Sequence, residues 1–127
     1  QSGYSSASLR ERLFIGNNPE SMSGVMIYTA SPDSDGTLGG LQRQGKAARF
    51  EETFIQALES VRWCSSDPLC VEGVTSETEP TNLAACHSCV LTSETSCEEF
   101  NRYLDRSVLV GVPGEAEVGF FSDLLPD

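Results

Sequence analysis

One short stretch constrains this chain more than any other: Ala85-Cys86-His87-Ser88-Cys89, with Cys97 downstream and Cys64 and Cys70 upstream. A CxxC on a tight turn lets two thiolates reach one ion, and Zn²⁺ is most often held by four such ligands in a tetrahedron. The chain has five cysteines. Two disulfides would leave one thiol over, whereas four metal ligands and a spare suit a reducing compartment. The spacing therefore points to a structural zinc site in a cytoplasmic protein, with disulfides, a redox CxxC and unliganded thiols as the alternatives. The redox alternative lacks the strand-then-helix setting of a thioredoxin-like motif, because this CxxC falls in a loop.

For ligands the reading takes Cys70, Cys86, Cys89 and Cys97. Thr95 with Glu98 and Ser96 with Glu99 form two overlapping capping boxes, which predict a helix from there to about Arg106. Cys97 would then sit at a helix N-terminus, where the free N–H groups favour a thiolate. Cys70 follows Pro68 in a loop and can turn inward. Cys64, beside Trp63 at the end of a longer helix, is either the substitute for one of the four or buried packing. His87 lies inside the CxxC and is expected to face solvent. It is the only histidine, which gives poor support to a His-based catalytic dyad.

The remaining elements follow from periodicity. Leu9–Ile15 reads as a short helix or strand, closed by the turn signal Gly16-Asn17-Asn18-Pro19. Val25–Ala30 is a continuous apolar run that reads as a buried strand. A Gly-rich loop over 31–45 leads into a helix near Lys46. There Ala47, Phe50, Phe54, Ala57, Leu58 and Val61 form one apolar stripe at the helical period, and the helix should stop near Trp63, ahead of Pro68. Residues 71–82 read as an exposed acidic loop. Ser107–Val112 reads as a second buried strand, and Phe120, Phe121, Leu124 and Leu125 as a docking arm or a tail. The expected fold is α/β: a small zinc-stabilised domain with few strands, a Gly-rich loop and two principal helices. Its divisions are a poorly patterned segment over 1–24, the zinc-binding domain over 25–112 and an acidic tail or arm over 113–127. The chain opens on Gln1 rather than Met and reads as a piece of a longer protein.

Charge narrows the function. The net charge of −11 repels phosphate backbones and argues against strong nucleic-acid binding by the chain alone. Arg43, Lys46 and Arg49 are the exception, a basic cluster able to touch an anion or DNA. They lie in Gly40-Leu41-Gln42-Arg43-Gln44-Gly45-Lys46-Ala47, which nearly matches a phosphate-binding P-loop. Ala47, however, stands where a Ser or Thr must hold Mg²⁺, so an NTPase site is rejected. No apolar run is long enough to span a membrane. Asp33 and Asp35 could pair as carboxylates for a metal-dependent nuclease or hydrolase, although such pairs more often cap turns. A third alternative is a secreted, disulfide-stabilised binding module.

Cys64-Ser65-Ser66-Asp67-Pro68-Leu69-Cys70, Ala84-Ala85-Cys86-His87-Ser88-Cys89, Glu94-Thr95-Ser96-Cys97-Glu98, Asn101 and Leu104-Asp105-Arg106 together resemble the helicase-associated zinc-binding domain of the MrfA zinc-binding (MZB) family. That domain is found at the C-terminal end of certain bacterial superfamily 2 helicases and related proteins. Ile27–Ala30 with Asp33–Leu41 resembles more narrowly the version in a component of the DISARM anti-phage defence system. The resemblance covers about residues 24–112. It implies a four-cysteine zinc site, carried onto Cys70, Cys86, Cys89 and Cys97, with no catalytic residue in the domain. It also implies a helicase subunit or neighbouring domain as partner, DNA met only through the assembled complex, and no membrane.

Overall fold

The computed structural model describes residues 5–18, 22–30, 40–73, 82–112 and 119–125. Alternation settles the first element. Leu9, Glu11 and Leu13 fall on one face and Arg10, Arg12 and Phe14 on the other, the period of a strand. Leu9–Phe14 is β1, and Gly24–Thr29 is β2. They pair antiparallel from Leu9↔Thr29 to Phe14↔Gly24, and the ladder is extended by Ala30 N–H donating to Ser8 O at 2.8 Å. The first 24 residues thus contribute a strand. The run over 25–30 is a strand as expected, but it is not buried: Val25, Met26, Ile27 and Tyr28 are all largely exposed. A two-stranded sheet has no further strand to cover its faces, so an apolar run does not ensure burial.

Two helices follow: α1 (Gly40–Gln44) and, one short turn later, α2 (Ala47–Val61). The apolar stripe of α2 is real, but its buried part is narrower than the pattern suggests. Leu58 is buried, Phe54 and Val61 are half-buried, and Ala47, Phe50 and Ala57 face solvent. Aromatic rings continue the contact. Phe50 stacks on Phe54 at 5.7 Å, Phe54 meets Phe121 edge-on at 5.1 Å, and Phe121 meets Phe120 at 4.8 Å. The C-terminal residues 119–125 therefore dock against α2 rather than trail away. Phe120 and Phe121 N–H groups donate to Val108 and Leu109 carbonyls. Gly119 makes this approach possible, since a Cβ there would stand 2.3 Å from Gly111 N.

Two expectations are corrected. The helix read over 96–106 is instead a 3₁₀ turn at Glu94–Ser96 followed by irregular chain, with Phe100, Asn101 and Tyr103 at positive φ. Side chains supply the reason, by offering the backbone partners that a helix would otherwise provide. Asn101 Oδ1 accepts the Thr92 N–H at 3.1 Å, and its Nδ2 donates to Thr92 O at 2.7 Å. Asn82 Nδ2 donates to Asn101 O at 2.7 Å and its Oδ1 accepts the Leu104 N–H at 2.8 Å. The strand read over 107–112 is a single helical turn, α3 (Ser107–Val110), ended by Gly111 at φ 75°. Asp105 starts it by accepting the Ser107 N–H and hydroxyl, an Asx turn that apolar content alone does not reveal. The fold is mixed α/β, with one principal helix among the described residues.

Candidate metal centre

The site forms where α2 ends. Arg106, 2% exposed, places Nη1 on the carbonyls of Val61 at 3.1 Å and Arg62 at 3.0 Å. These are acceptors that a helix C-terminus leaves unsatisfied. Its Nη2 pairs with the Asp67 carboxylate. The other carboxylate oxygen of Asp67 accepts the Cys64 N–H at 2.9 Å. The chain then turns tightly, with Asp67 N–H on Cys64 O at 3.0 Å and Cys70 N–H on Ser66 O at 3.0 Å. Cys64 and Cys70 are thereby carried inward, and both are buried.

The opposite half is the CxxC. Cys89 N–H donates to Cys86 O at 3.1 Å, closing the turn, and Cys86 N–H donates to Cys89 Sγ at 3.2 Å. Ser66 N–H donates likewise to Cys64 Sγ at 3.4 Å. Ala84 and Ala85, each 1% exposed, leave room for this approach, and Arg106 N–H on Ala84 O at 3.3 Å fixes it.

Cys64, Cys70, Cys86 and Cys89 converge so that their sulfurs all lie within 4.8 Å of one another. The closest separations are 3.4 Å for Cys64–Cys86 and 3.7 Å for Cys70–Cys89 and Cys86–Cys89. A tetrahedron of thiolates on Zn²⁺ needs sulfurs about 3.8 Å apart, from Zn–S bonds of about 2.3 Å. A disulfide would need about 2.05 Å, and all five cysteines are free. The donor set therefore fits a metal ion of thiophilic character.

Burial and mutual contact split the thiols. Burial pushes the Cys70 and Cys89 thiols up. Burial also raises Cys86, but the Ser88 backbone N–H and bonds with the Cys64, Cys70 and Cys89 sulfurs outweigh it and bring Cys86 down to about 6. A bound divalent ion would favour the thiolate form of all four. Asp67 is held below its ordinary value: burial opposes this, and the Cys64 N–H and the Arg106 guanidinium overcome it. Arg106 is raised despite burial, through Asp67 first and Cys70 next.

The group differs from the expected ligands by one thiol: Cys64 stands in the cluster and Cys97 does not. Cys97 follows the Glu94–Ser96 turn in extended backbone, and this segment lies against β1, with Glu98 N–H on Glu11 Oε1 at 2.6 Å. Without the expected helix, nothing aims Cys97 at the CxxC. His87 is exposed, as expected. Arg43, Lys46 and Arg49 are exposed around the α1–α2 junction, at the far end of α2 from the thiols. Gly40 begins a helix there, so the near-P-loop stretch does not form a phosphate loop. Asp33 and Asp35 lie outside the described residues. Asp105 turns away from its chain neighbour and accepts the Ser107 N–H at 2.9 Å. Arg106 pairs with Asp67. Asn82, Asp67 and Arg106 are the structural residues whose roles sequence reasoning missed. Asp67 and Arg106 did stand among the residues that carry the family resemblance, whereas Asn82 gave no signal of its own.

The family model of the MrfA Zn-binding domain (MZB) matches residues 1–90, and the chain belongs to that family. The matched span contains all four clustered cysteines and stops short of Cys97. Among curated proteins, the DISARM protein DrmB of Bacillus paralicheniformis is 43% identical over 125 residues, 98% of this chain. The chain spans 22% of that relative's length. No solved structure matches.

Proposed function

We propose that this chain is a non-catalytic, zinc-binding module of a DISARM-type anti-phage defence protein, with Cys64, Cys70, Cys86 and Cys89 as the zinc ligands. The observation that carries this reading is the four-thiol cluster. Four protein thiolates fill the coordination sphere and leave no position for substrate or water, as a catalytic zinc requires. The cluster also ties the end of α2 to the CxxC loop, which is the work of a structural ion. Membership of the zinc-binding family and likeness to the DISARM relative support the same role.

The module acts in the cytoplasm, where thiols stay reduced. No helix among the described residues is long and apolar enough to cross a membrane. Its contact with a helicase subunit or neighbouring domain is the β1–β2 face bearing Leu9, Leu13, Val25 and Ile27, which with Tyr103 and Leu104 lines an apolar groove of about 550 Å³. DNA is met only through the assembled complex, with Arg43, Lys46 and Arg49 as the residues able to touch it. Metal analysis tests the core of the reading: one zinc per chain is expected, and a metal-free folded chain rejects it. For the contact, Leu13→Glu with Ile27→Glu in the full-length protein should abolish association with the helicase subunit while zinc content is unchanged. Changing Arg43, Lys46 and Arg49 to Glu should lower DNA affinity of the complex, and unchanged affinity removes that contact.

A further inference from the structure

Sequence spacing favours Cys97 as a ligand and leaves Cys64 as a substitute, whereas the fold places Cys64 in the cluster and Cys97 outside it. The deciding geometry lies in a residue that is not a ligand. We propose that Arg106 is a positioning residue for the metal, acting through Asp67 to hold Cys64 in the cluster; this rests on the four-thiol reading above.

Three observations converge on Arg106. By taking the Val61 and Arg62 carbonyls it satisfies the end of α2, so that the chain leaves the helix before Cys64. Another turn of helix would carry Cys64 round the α2 axis and away from the CxxC. Through Nη2 it fixes Asp67, whose second oxygen holds the Cys64 N–H at 2.9 Å. Through its own backbone N–H it meets Ala84 O at 3.3 Å, two residues before Cys86. One buried cation thus sets the relative position of both cysteine-bearing segments. Its Nε is buried and makes no hydrogen bond among the described residues. Four thiolates on a divalent ion carry a formal charge of about −2, and a neighbouring guanidinium offsets part of it. Cys97 has no comparable restraint: its N–H goes to Glu94 O at 3.3 Å, inside its own turn.

The test is site-resolved thiol alkylation, read by peptide mass, on the zinc-loaded full chain, with zinc affinity measured by chelator competition. In the unmodified protein Cys97 should label and the four clustered thiols should be protected. If all four label there, the four-thiol reading itself fails. In Arg106→Met and in Asp67→Asn, Cys64 should become reactive while Cys70, Cys86 and Cys89 stay protected. Zinc affinity should fall about 10–100-fold, the usual cost of losing an outer-shell partner, and Co²⁺ spectra should shift toward those of Cys64→Ser. Arg106→Lys, which lacks the planar fork, should rescue only in part. Unchanged protection of Cys64 overturns the proposal. So does simultaneous loss of protection at all four, which would mark Arg106 as a general stabiliser. If Arg106→Met does not fold, Asp67→Asn decides on the same criteria.

Discussion

The two ends of this molecule are built on opposite principles. Around the thiol cluster, polar groups and sulfur supply much of what is enclosed: Arg106, Asn82, Asn101, Cys64 and Cys70 are buried, with Cys86 and Cys89 half-buried beside them. At the β1–β2 hairpin the chemistry is reversed. Leu13, Val25 and Ile27 are apolar, yet each is more than half exposed. The first region is nearly complete in itself: among the described residues, Arg106 Nε is the one buried side-chain nitrogen or oxygen there without a hydrogen bond. The second leaves its hydrophobic surface uncovered among the described residues. In a chain of this size, with few large apolar side chains buried among the described residues, a metal held by the four thiols would substitute for part of the missing core.

That contrast can be broken in order of severity. Removing the metal should have the largest effect. Chelation, or Cys70→Ser, should abolish the cooperative thermal transition followed by circular dichroism, because structural zinc contributes about 10–16 kcal/mol in small zinc-dependent folds. Retention of a sharp transition would show that the cluster is dispensable. Leu58→Ala, at the one fully buried apolar position of α2, should cost about 2–5 kcal/mol in denaturant melts. Asn82→Ala strands Asn101 O and the Leu104 N–H, and should cost about 1–3 kcal/mol per group left unpaired.

Acidification gives a smaller, signed effect. The Asp67 carboxyl is held below its unfolded value, so its stabilisation is present above that value and is lost as pH falls through the folded one. Stability should therefore drop below about pH 4, and Asp67→Asn should flatten that limb relative to the unmodified chain. The smallest effect belongs to the hairpin. Ile27→Ser should change the stability of the isolated chain by about 0.5 kcal/mol or less, yet weaken binding in the assembled complex. A large loss in the isolated chain would instead make the hairpin part of the core.

The same contrast separates what the residues reveal from what they hide. α2 was legible to within a residue or two at its end, because the 3.6-residue period and Pro68 act locally. A thiol cluster able to hold a metal ion was legible from the CxxC. The place of Cys64 rather than Cys97 in that cluster was not, since the turn that carries Cys64 inward is built with Asp67 and Arg106, which meet across the fold. The capping boxes at Thr95 and Ser96 were genuine local signals, but they lost to Asn82 and Asn101, whose long-range bonds hold the backbone out of a helix. The strand at 24–29 was legible and its exposure was not, because burial depends on what lies opposite a face.

The clamp also imposes an order in time. A ribosome delivers all four clustered thiols by residue 89, and Arg106 only later. If the cluster holds a metal, capture could begin on the nascent chain before Arg106 is made. The arginine that joins the end of α2 to Asp67 arrives after all four thiols. A product cut at residue 90, where the family match ends, would carry all four thiols and lack that arginine.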